Sequence, residues 1–297
     1  MGGWKKDIKN EAKLFDEMGL NMKEAHTAKV AVVKLDEKYG LRNQGVFATQ
    51  NIHQGEVIFR CDPSVCDYDN ADLLKTKDEM NEYFVKFPQC KEYIVRYTHM
   101  VDHDTYVLPK NWEELKLECI CTLFNHSCQP NSALVENDHF VALRDIAAGE
   151  ELTYDYQTLE TEASLDVGLN CKCGSDNCRG VLLYDLYRND KWQSMFYDYC
   201  SPYVKDQIDN LKTRWFSSEC YVKRLDGSQL GLVATKAIAK NTLVAIFSND
   251  VRPELHYLRP SIIPNCIVIE NKVFTAKDIK PGEEMTLDYT KLNNQSK

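Results

Sequence analysis

An internal repeat constrains the fold of this chain more than any other feature of its sequence. The matching pieces lie in the same order in both copies: residues 45–52 with 231–238, apolar stretches ending at Phe59 and Phe247, Pro130-Asn131 with Pro264-Asn265, and residues 145–156 with 278–289. Matched order and matched spacing inside each piece argue against a chance likeness of turn residues. The chain is therefore predicted to contain two copies of one structural unit.

Each copy has the pattern of short strands joined by turns. Residues 45–61 carry β-branched and aromatic runs around a turn at residues 53–55, which is typical of a hairpin-like pair. Residues 132–156 return to strands, with turns at residues 136–138 and 148–150. The copies differ in length, because a long insert runs from about Cys61 to Leu123 in the first copy only. The second copy is predicted to be a stripped scaffold.

Helices are predicted outside these strands. Residues 1–30 have a helical pattern, with Val30, Val32 and Val33 at its end. Residues 67–118 are richer in charge and are expected to be helical or irregular. Between Tyr187 and Phe216 apolar residues recur at helical spacing. The predicted fold is mainly β with helical additions.

Composition narrows the classes of function. The 297 residues carry a net charge of −9 and twelve cysteines, with no apolar run long enough to span a membrane and no secretory signal. We therefore expect an intracellular protein, in the nucleus or the cytoplasm, that is not secreted and in which cysteines are metal ligands or buried thiols rather than disulfides. An acidic chain is poorly suited to nucleic acid. Its charge either steers a basic peptide or only maintains solubility.

Three cysteines form a candidate metal site. Cys171, Cys173 and Cys178 lie within one Gly/Asp/Asn-rich loop, a spacing that favours structural zinc. A closed site needs a fourth ligand from elsewhere in the chain. The alternative is three unrelated buried thiols.

Two further motifs are ambiguous on their own. Residues 124–131 (FNHSCQPN) place His126 and Cys128 close together, as in a nucleophilic pair without an orienting partner or around a simply buried histidine. Tyr154 and Tyr156 are predicted on one face of a strand. They either pack in the core or line an aromatic channel for an amine or cation.

Taken together, NHSCQPN, GEELTYDY and CKCGSDNC followed by Arg-Gly resemble the SET domain family of protein-lysine methyltransferases with its post-SET tail. GVFATQNIHQGEVIF resembles the first block of that family, and the likeness spans about residues 38–186. The resemblance implies a SET-type β-clip fold with a pseudoknot near NHSC. It also implies methyl transfer from S-adenosylmethionine to lysine in a protein, with histone or nonhistone substrates. No direct nucleic-acid or membrane partner is expected.

The resemblance also assigns roles to residues. It implies S-adenosylmethionine contacts for Asn125, His126 and the backbone of Gly45, Val46 and Phe47. It implies zinc ligands at Cys128, Cys171, Cys173 and Cys178, so that Cys128 supplies the fourth thiolate. Tyr156 falls on the catalytic tyrosine, and Tyr154 on the position that limits methylation, which favours mono- or dimethylation.

The chain departs from the family at some positions. Thr122 stands where the family often has arginine, and Cys61 where it often has a channel tyrosine. In the second copy LRPSII, residues 258–263, replaces FNHSCQ, and Leu287 replaces Tyr154. These changes leave open a catalytically silent SET-derived binding or regulatory module. The predicted parts are a helical segment (1–37), a SET domain (38–157, insert about 62–122), a post-SET zinc tail (158–186), a helical linker (187–222) and a degenerate SET-like repeat (223–297).

Overall fold

The computed structural model describes residues 29–34, 44–61, 70–115, 119–225, 229–247 and 257–292. Most of the helical segment predicted for residues 1–37 lies outside these ranges. Its described end is a strand, β1 (Val30–Lys34), so the helical prediction is wrong there. The β-branched residues Val30 and Val32 are fully buried against a neighbouring strand, and this packing outweighs a helical pattern.

The predicted fold, mainly β with helical additions, is confirmed. In the first half the strands after β1 are β2 (Gln44–Ala48), β3 (Val57–Arg60), β4 (Leu74–Lys75), β5 (His99–Asp102), β6 (Thr105–Val107), β7 (Asn125–His126), β8 (Ser132–Val135), β9 (His139–Ala142), β10 (Glu151–Tyr154), β11 (Leu169–Asn170) and β12 (Val181–Leu182). The α-helices are α1 (Lys77–Lys86), α2 (Lys91–Tyr97), α3 (Asp190–Phe196) and α4 (Pro202–Leu211).

Two small sheets form the centre of the first half. One has the order β1-β2-β10-β7, and the other the order β3-β9-β8. Strand β7 runs parallel to β10, so that Asn125 lies opposite Thr153 and His126 opposite Tyr154. On its other edge β10 pairs antiparallel with β2. Strand β10 thus brings residues from two distant parts of the chain to one place.

The insert has a sheet of its own. Strands β4, β6 and β5 form a three-stranded sheet beside helices α1 and α2. Helix α1 begins with a capping box, in which Thr76 accepts from the Glu79 backbone N–H while the Glu79 carboxylate accepts from the Thr76 N–H. The sheet was not predicted, because the charged residues of this segment mask its short apolar alternation.

The second half contains strands β13 (Arg214–Phe216), β14 (Cys220–Arg224), β15 (Leu230–Ala234), β16 (Leu243–Phe247), β17 (Arg259–Pro260), β18 (Cys266–Ile269), β19 (Lys272–Thr275) and β20 (Thr286–Leu287). Their pairing repeats that of the first half: β14 is antiparallel to β15 as β1 is to β2, and β17 is parallel to β20 as β7 is to β10.

Individual hydrogen bonds recur as well. The Asn131 amide donates to the Glu151 carbonyl at 2.8 Å, and the Asn265 amide donates to the Glu284 carbonyl at 2.7 Å. The two copies align differently from the prediction at the end of the first apolar strand. The Cys61 N–H donates to the carbonyl of Asp138, and Phe247 makes the corresponding bond to Asn271. Phe247 therefore takes the place of Cys61 and not of Phe59.

Each half has its own buried cluster, and the two halves meet at the insert. Lys223 pairs with Asp78 at 2.9 Å, the Arg224 N–H donates to the Asp104 carboxylate, and the Tyr257 hydroxyl lies 3.2 Å from His103 Nε2. The second half therefore rests on helix α1 and the β5–β6 hairpin. None of the helices in the described ranges has the length and apolarity to cross a bilayer.

Candidate active site and cysteine cluster

The four predicted metal ligands come together. The sulfur atoms of Cys128, Cys171, Cys173 and Cys178 all lie within 4.8 Å of one another, and those of Cys128 and Cys171 are 3.7 Å apart. A tetrahedral ion with metal–sulfur bonds of about 2.3 Å places neighbouring sulfurs about 3.8 Å apart. The donor set, four sulfurs and no carboxylate, is therefore the right size and chemistry for zinc.

The pKa values of Cys171 and Cys173 are shifted in opposite directions. Burial raises the pKa of Cys171, and its neighbours Cys173, Cys178 and Cys128 raise it further. At Cys173 burial acts in the same direction, but backbone and Ser175 hydrogen bonds outweigh it and lower the pKa to about 6. Backbone N–H groups of Arg179 and Gly180 also point at cluster sulfurs, at 3.4 and 3.5 Å. Such donors stabilise thiolates, the form that binds metal.

A partly buried ion pair joins the cysteine tail to the end of β10. Both terminal nitrogens of Arg179 donate to the carboxylate of Asp155, at 2.9 and 2.8 Å. The Trp192 indole N–H donates to the same carboxylate at 3.2 Å. Paired, two-point hydrogen bonding of this kind fixes both position and orientation. Arg179 follows the last cysteine directly, so the pair sets where the tail lies.

His126 is held neutral next to this pair. Its Nδ1 accepts from the backbone N–H of Tyr156 at 3.2 Å, and its Nε2 lies 3.3 Å from Cys128 Sγ. Burial lowers the pKa of His126 to about 4, since Asp155 opposes that shift only partly and Arg179 adds to it. The ring therefore acts as a hydrogen-bonding group and not as a cation near neutral pH.

Asn125 ties β2 to β10. Its amide donates to the carbonyl of Gln44 at 2.8 Å and to the Glu151 carboxylate at 2.9 Å. Gly45, Val46 and Phe47 follow Gln44 on β2, with Val46 fully buried. The residues implied to contact a nucleoside-type methyl donor thus lie on β2 and β7, the two strands that flank β10. Two acceptors converge there, a carbonyl and a carboxylate, and these suit the ammonium group of an amino acid.

The two predicted channel tyrosines are in contact. The Tyr154 and Tyr156 ring centroids are 4.9 Å apart, and Tyr154 also packs edge-on against Phe140. Strand β10 ends at Tyr154, so Tyr156 lies in the following 3-10 turn and not on the same strand as predicted. The Tyr156 hydroxyl donates to the Phe124 carbonyl at 3.1 Å. Burial, with Tyr156 nearby, raises the pKa of Tyr154 well above its usual range.

The corresponding place in the second copy is filled differently. Arg259 forms a two-point ion pair with Glu284, at 2.5 and 2.8 Å, where Asn125 bonds Glu151. Pro260 stands at the His126 position, and Leu287 at that of Tyr154. The Arg259 guanidinium occupies both oxygens of the Glu284 carboxylate, the counterpart of Glu151. A partly exposed ion pair thus replaces the Asn125–Glu151 hydrogen bond in the second copy.

Sequence reasoning did not assign Asp155 or Trp192 to the site. Asp155 lies inside the GEELTYDY motif, between the two tyrosines. Its burial was not visible in the sequence, although a lone acid between two aromatic residues could have signalled a buried partner for a cation. Trp192 belongs to the helix after the tail, and no local pattern connects it with β10.

Part of this chain matches a known protein family. Residues 43–157 match the family model described as the SET domain. The predicted SET domain is confirmed over this range.

Three relatives illustrate the likeness. An H3 lysine-4 specific histone-lysine N-methyltransferase of Saccharomyces cerevisiae is 31% identical over 150 residues, which are 48% of this chain and 12% of the relative. The protein of the same description from Aspergillus fumigatus is 30% identical over 150 residues, 48% of this chain and 11% of the relative. A histone-lysine N-methyltransferase of Arabidopsis thaliana is 37% identical over 103 residues, 31% of this chain and 9% of the relative. The chain thus matches only about a tenth of these relatives' length.

Proposed function

Because residues 43–157 of this chain form a SET domain, we propose that the protein transfers methyl groups from S-adenosylmethionine to lysine side chains of a protein substrate. The observation that carries the proposal is the convergence of Asn125, His126 and Tyr156 around β10. These are the residue types and positions that the family uses for donor and acceptor. Relatives named as histone-lysine N-methyltransferases support a histone as the first substrate to test.

The donor site consists of Asn125, His126 and the β2 backbone at Gly45, Val46 and Phe47. When bound, S-adenosylmethionine supplies an electrophilic methyl group to a neutral amine. The Gln44 carbonyl and the Glu151 carboxylate accept from Asn125, and we expect them to accept from the ammonium group of the donor as well. A neutral His126 adds no positive charge that would repel a cationic donor.

The tyrosines would favour the neutral, reactive form of the substrate lysine and orient its amine. A lysine amine has a pKa about 3 units above neutral pH, so its deprotonation costs about 4–5 kcal/mol. Aromatic walls, formed by Tyr154, Tyr156 and Phe140, disfavour the ammonium form by desolvation. The Tyr156 hydroxyl donates its proton to the Phe124 carbonyl, which leaves its oxygen lone pairs to accept an amine N–H. What remains is alignment of the amine, which positioning supplies.

The degree of methylation is a finer part of the proposal. Tyr154 keeps its phenol proton at any physiological pH, because burial raises its pKa. A neutral hydroxyl on the channel wall occupies room and holds the amine by hydrogen bonding, both of which resist further methylation. We expect mono- or dimethylation.

The zinc tail is the second part of the proposal. Cys128, Cys171, Cys173 and Cys178 would hold one structural zinc ion, and Arg179 would fix the loaded tail to Asp155. Since Cys128 follows His126 by two residues, the ion would hold the tail against the donor site. It takes no part in the reaction itself.

The deciding experiment is methyl transfer from labelled S-adenosylmethionine to core histones and to proteins of a cell extract, with mass spectrometry of the product. Label on lysine that disappears in Tyr156→Phe is the expected result. A catalytically silent binding module is the second candidate, favoured by Cys61 at the position of a channel tyrosine. Donor binding without transfer to any substrate would establish that candidate and overturn the first.

A further inference from the structure

A second group of cysteines lies inside the first half, apart from the zinc tail. The sulfur atoms of Cys61, Cys119 and Cys121 all lie within 4.8 Å of one another. Their exposed fractions are only 7%, 9% and 6%, so the group is enclosed. The other buried cysteines of the described ranges, such as Cys90 and Cys200, belong to no such cluster.

The position of this group gives it a structural meaning. Cys61 directly follows β3, where its N–H donates to the Asp138 carbonyl at 2.7 Å. Cys119 and Cys121 lie in the turn that leads into β7, where the Thr122 hydroxyl donates to the Cys119 carbonyl. The insert, residues 62–118, lies between them. The three thiols therefore meet where the insert leaves the β core and where it returns.

From this arrangement we propose that Cys61, Cys119 and Cys121 bind one thiophilic d10 cation of the zinc type, which closes the neck of the insert. Soft sulfur donors without oxygen ligands select such ions. Three protein ligands and a water molecule are the zinc arrangement of catalytic sites, so a water molecule would have to complete the coordination here. The charge favours a divalent ion, because three thiolates leave one net negative charge with Zn²⁺ and two with Cu⁺, and buried net charge is costly.

The second copy supports a special role for this place. Phe247 makes the backbone bond there that Cys61 makes in the first copy, and no insert follows it on the scale of the first. A neck that closes a long loop gains more from a crosslink than a short connection does. The ion would thus hold the two ends of the insert together, whereas in the second copy the buried Phe247 side chain stabilises the same place by packing.

One distance requires side-chain adjustment. The sulfurs of Cys119 and Cys121 are 2.8 Å apart, closer than two sulfurs on one metal ion. Metal binding would therefore require one of the two side chains to change rotamer. An oxidised Cys119–Cys121 pair is the competing outcome, and the experiment must distinguish the two.

The test is metal analysis and native mass spectrometry of the full chain, purified under reducing conditions without added metal. Cys61→Ser should lower the metal content by one equivalent, whereas Cys200→Ser, a matched buried cysteine outside the cluster, should leave it unchanged. Unchanged content in Cys61→Ser, or a mass two hydrogens lighter in place of the metal adduct, overturns the proposal.

A further variant protects the test against misfolding. Cys178 is exposed and belongs to the zinc tail, so Cys178→Ser should fold and should still hold the ion at the neck. A Cys178→Ser protein without any bound metal also overturns the proposal. This readout does not depend on methyl transfer, and the proposal therefore stands or falls apart from the proposed function.

Discussion

Tyr156 and Tyr289 make the same hydrogen bond in the two copies. Each hydroxyl donates to the main-chain carbonyl before the short parallel strand, at 3.1 Å to Phe124 and at 2.7 Å to Leu258. The second copy keeps this bond although Arg259 stands where Asn125 does. The bond is therefore a property of the fold, and the chemistry proposed for Tyr156 would be an additional use of it.

Tyr289→Phe is consequently a matched control for Tyr156→Phe. Each substitution removes one hydrogen bond of the same kind, and each should lower the free energy of unfolding by about 1 kcal/mol. Only Tyr156→Phe should abolish methyl transfer. Urea denaturation and the transfer assay on both variants check this. Equal loss of activity in both would mean that the hydroxyl acts through folding alone.

Tyr154→Phe should change the product and not the fold. In the proposed channel the phenol hydroxyl would occupy space beside the amine, so its removal should make room for a further methyl group. We expect a product distribution shifted toward trimethyllysine, measured by mass spectrometry at matched turnover. An unaltered distribution with normal activity would show that another residue limits methylation.

The Arg179–Asp155 pair should be far more important than a surface pair. Arg179→Met leaves Asp155 buried with only neutral donors, the Trp192 indole and the Gln157 backbone N–H, at a cost of about 3–5 kcal/mol. Arg60→Met breaks the exposed 2.7 Å pair with Asp138 and should cost about 0–1 kcal/mol. Thermal denaturation compares the two. Similar shifts in Tm would contradict the assigned role of Asp155.

Removal of the zinc ion proposed for the tail should expose residues 158–186. Four thiols in contact cannot all ionise without a cation, so a strong chelator or Cys173→Ser should loosen the tail and end methyl transfer. Limited proteolysis with mass spectrometry locates the opened segment, and added zinc should restore protection in the unsubstituted protein. Cys266→Ser, in the second copy, serves as the control. Proteolysis that begins elsewhere would argue against a structural ion in the tail.

Acid should weaken the contact between the halves through His103. Burial lowers the pKa of His103 from 6.5 to about 4, with Asp102 and Asp206 opposing this and Arg214 and Arg224 adding to it. Between pH 6.5 and about 4, His103 is protonated in the unfolded chain but neutral in the folded chain. The free energy of unfolding therefore falls as the pH falls.

The expected loss is about 3 kcal/mol between pH 6.5 and 4. His103→Gln keeps an acceptor for Tyr257 but cannot titrate. Denaturation of both proteins across this range isolates the histidine, since the other acid-sensitive groups are common to them. Parallel pH profiles for the two proteins would exclude His103 as the cause.

Local motifs carried most of what could be predicted. NHSCQPN and GEELTYDY located both strands of the parallel pair, and the spacing of Cys171, Cys173 and Cys178 located the tail. Pairing across long distances was not readable: neither the Arg179–Asp155 contact nor the thiols at the two ends of the insert follow from neighbouring residues. The strand at Val30 was not predicted, because its partner β2 begins only at Gln44, ten residues after β1 ends at Lys34, and the residues between them show no strand pattern.

The asparagine that locks β10 has an evolutionary consequence. Asn131 and Asn265 hold equivalent strands by equivalent bonds, and both oxygens accept a backbone N–H, from Thr153 at 2.9 Å and from Thr286 at 2.8 Å. The residues that hold the strands in place are thus different from the residues proposed for catalysis. A copy of this unit can therefore keep its strand pairing without the residues proposed for catalysis, as the second copy does.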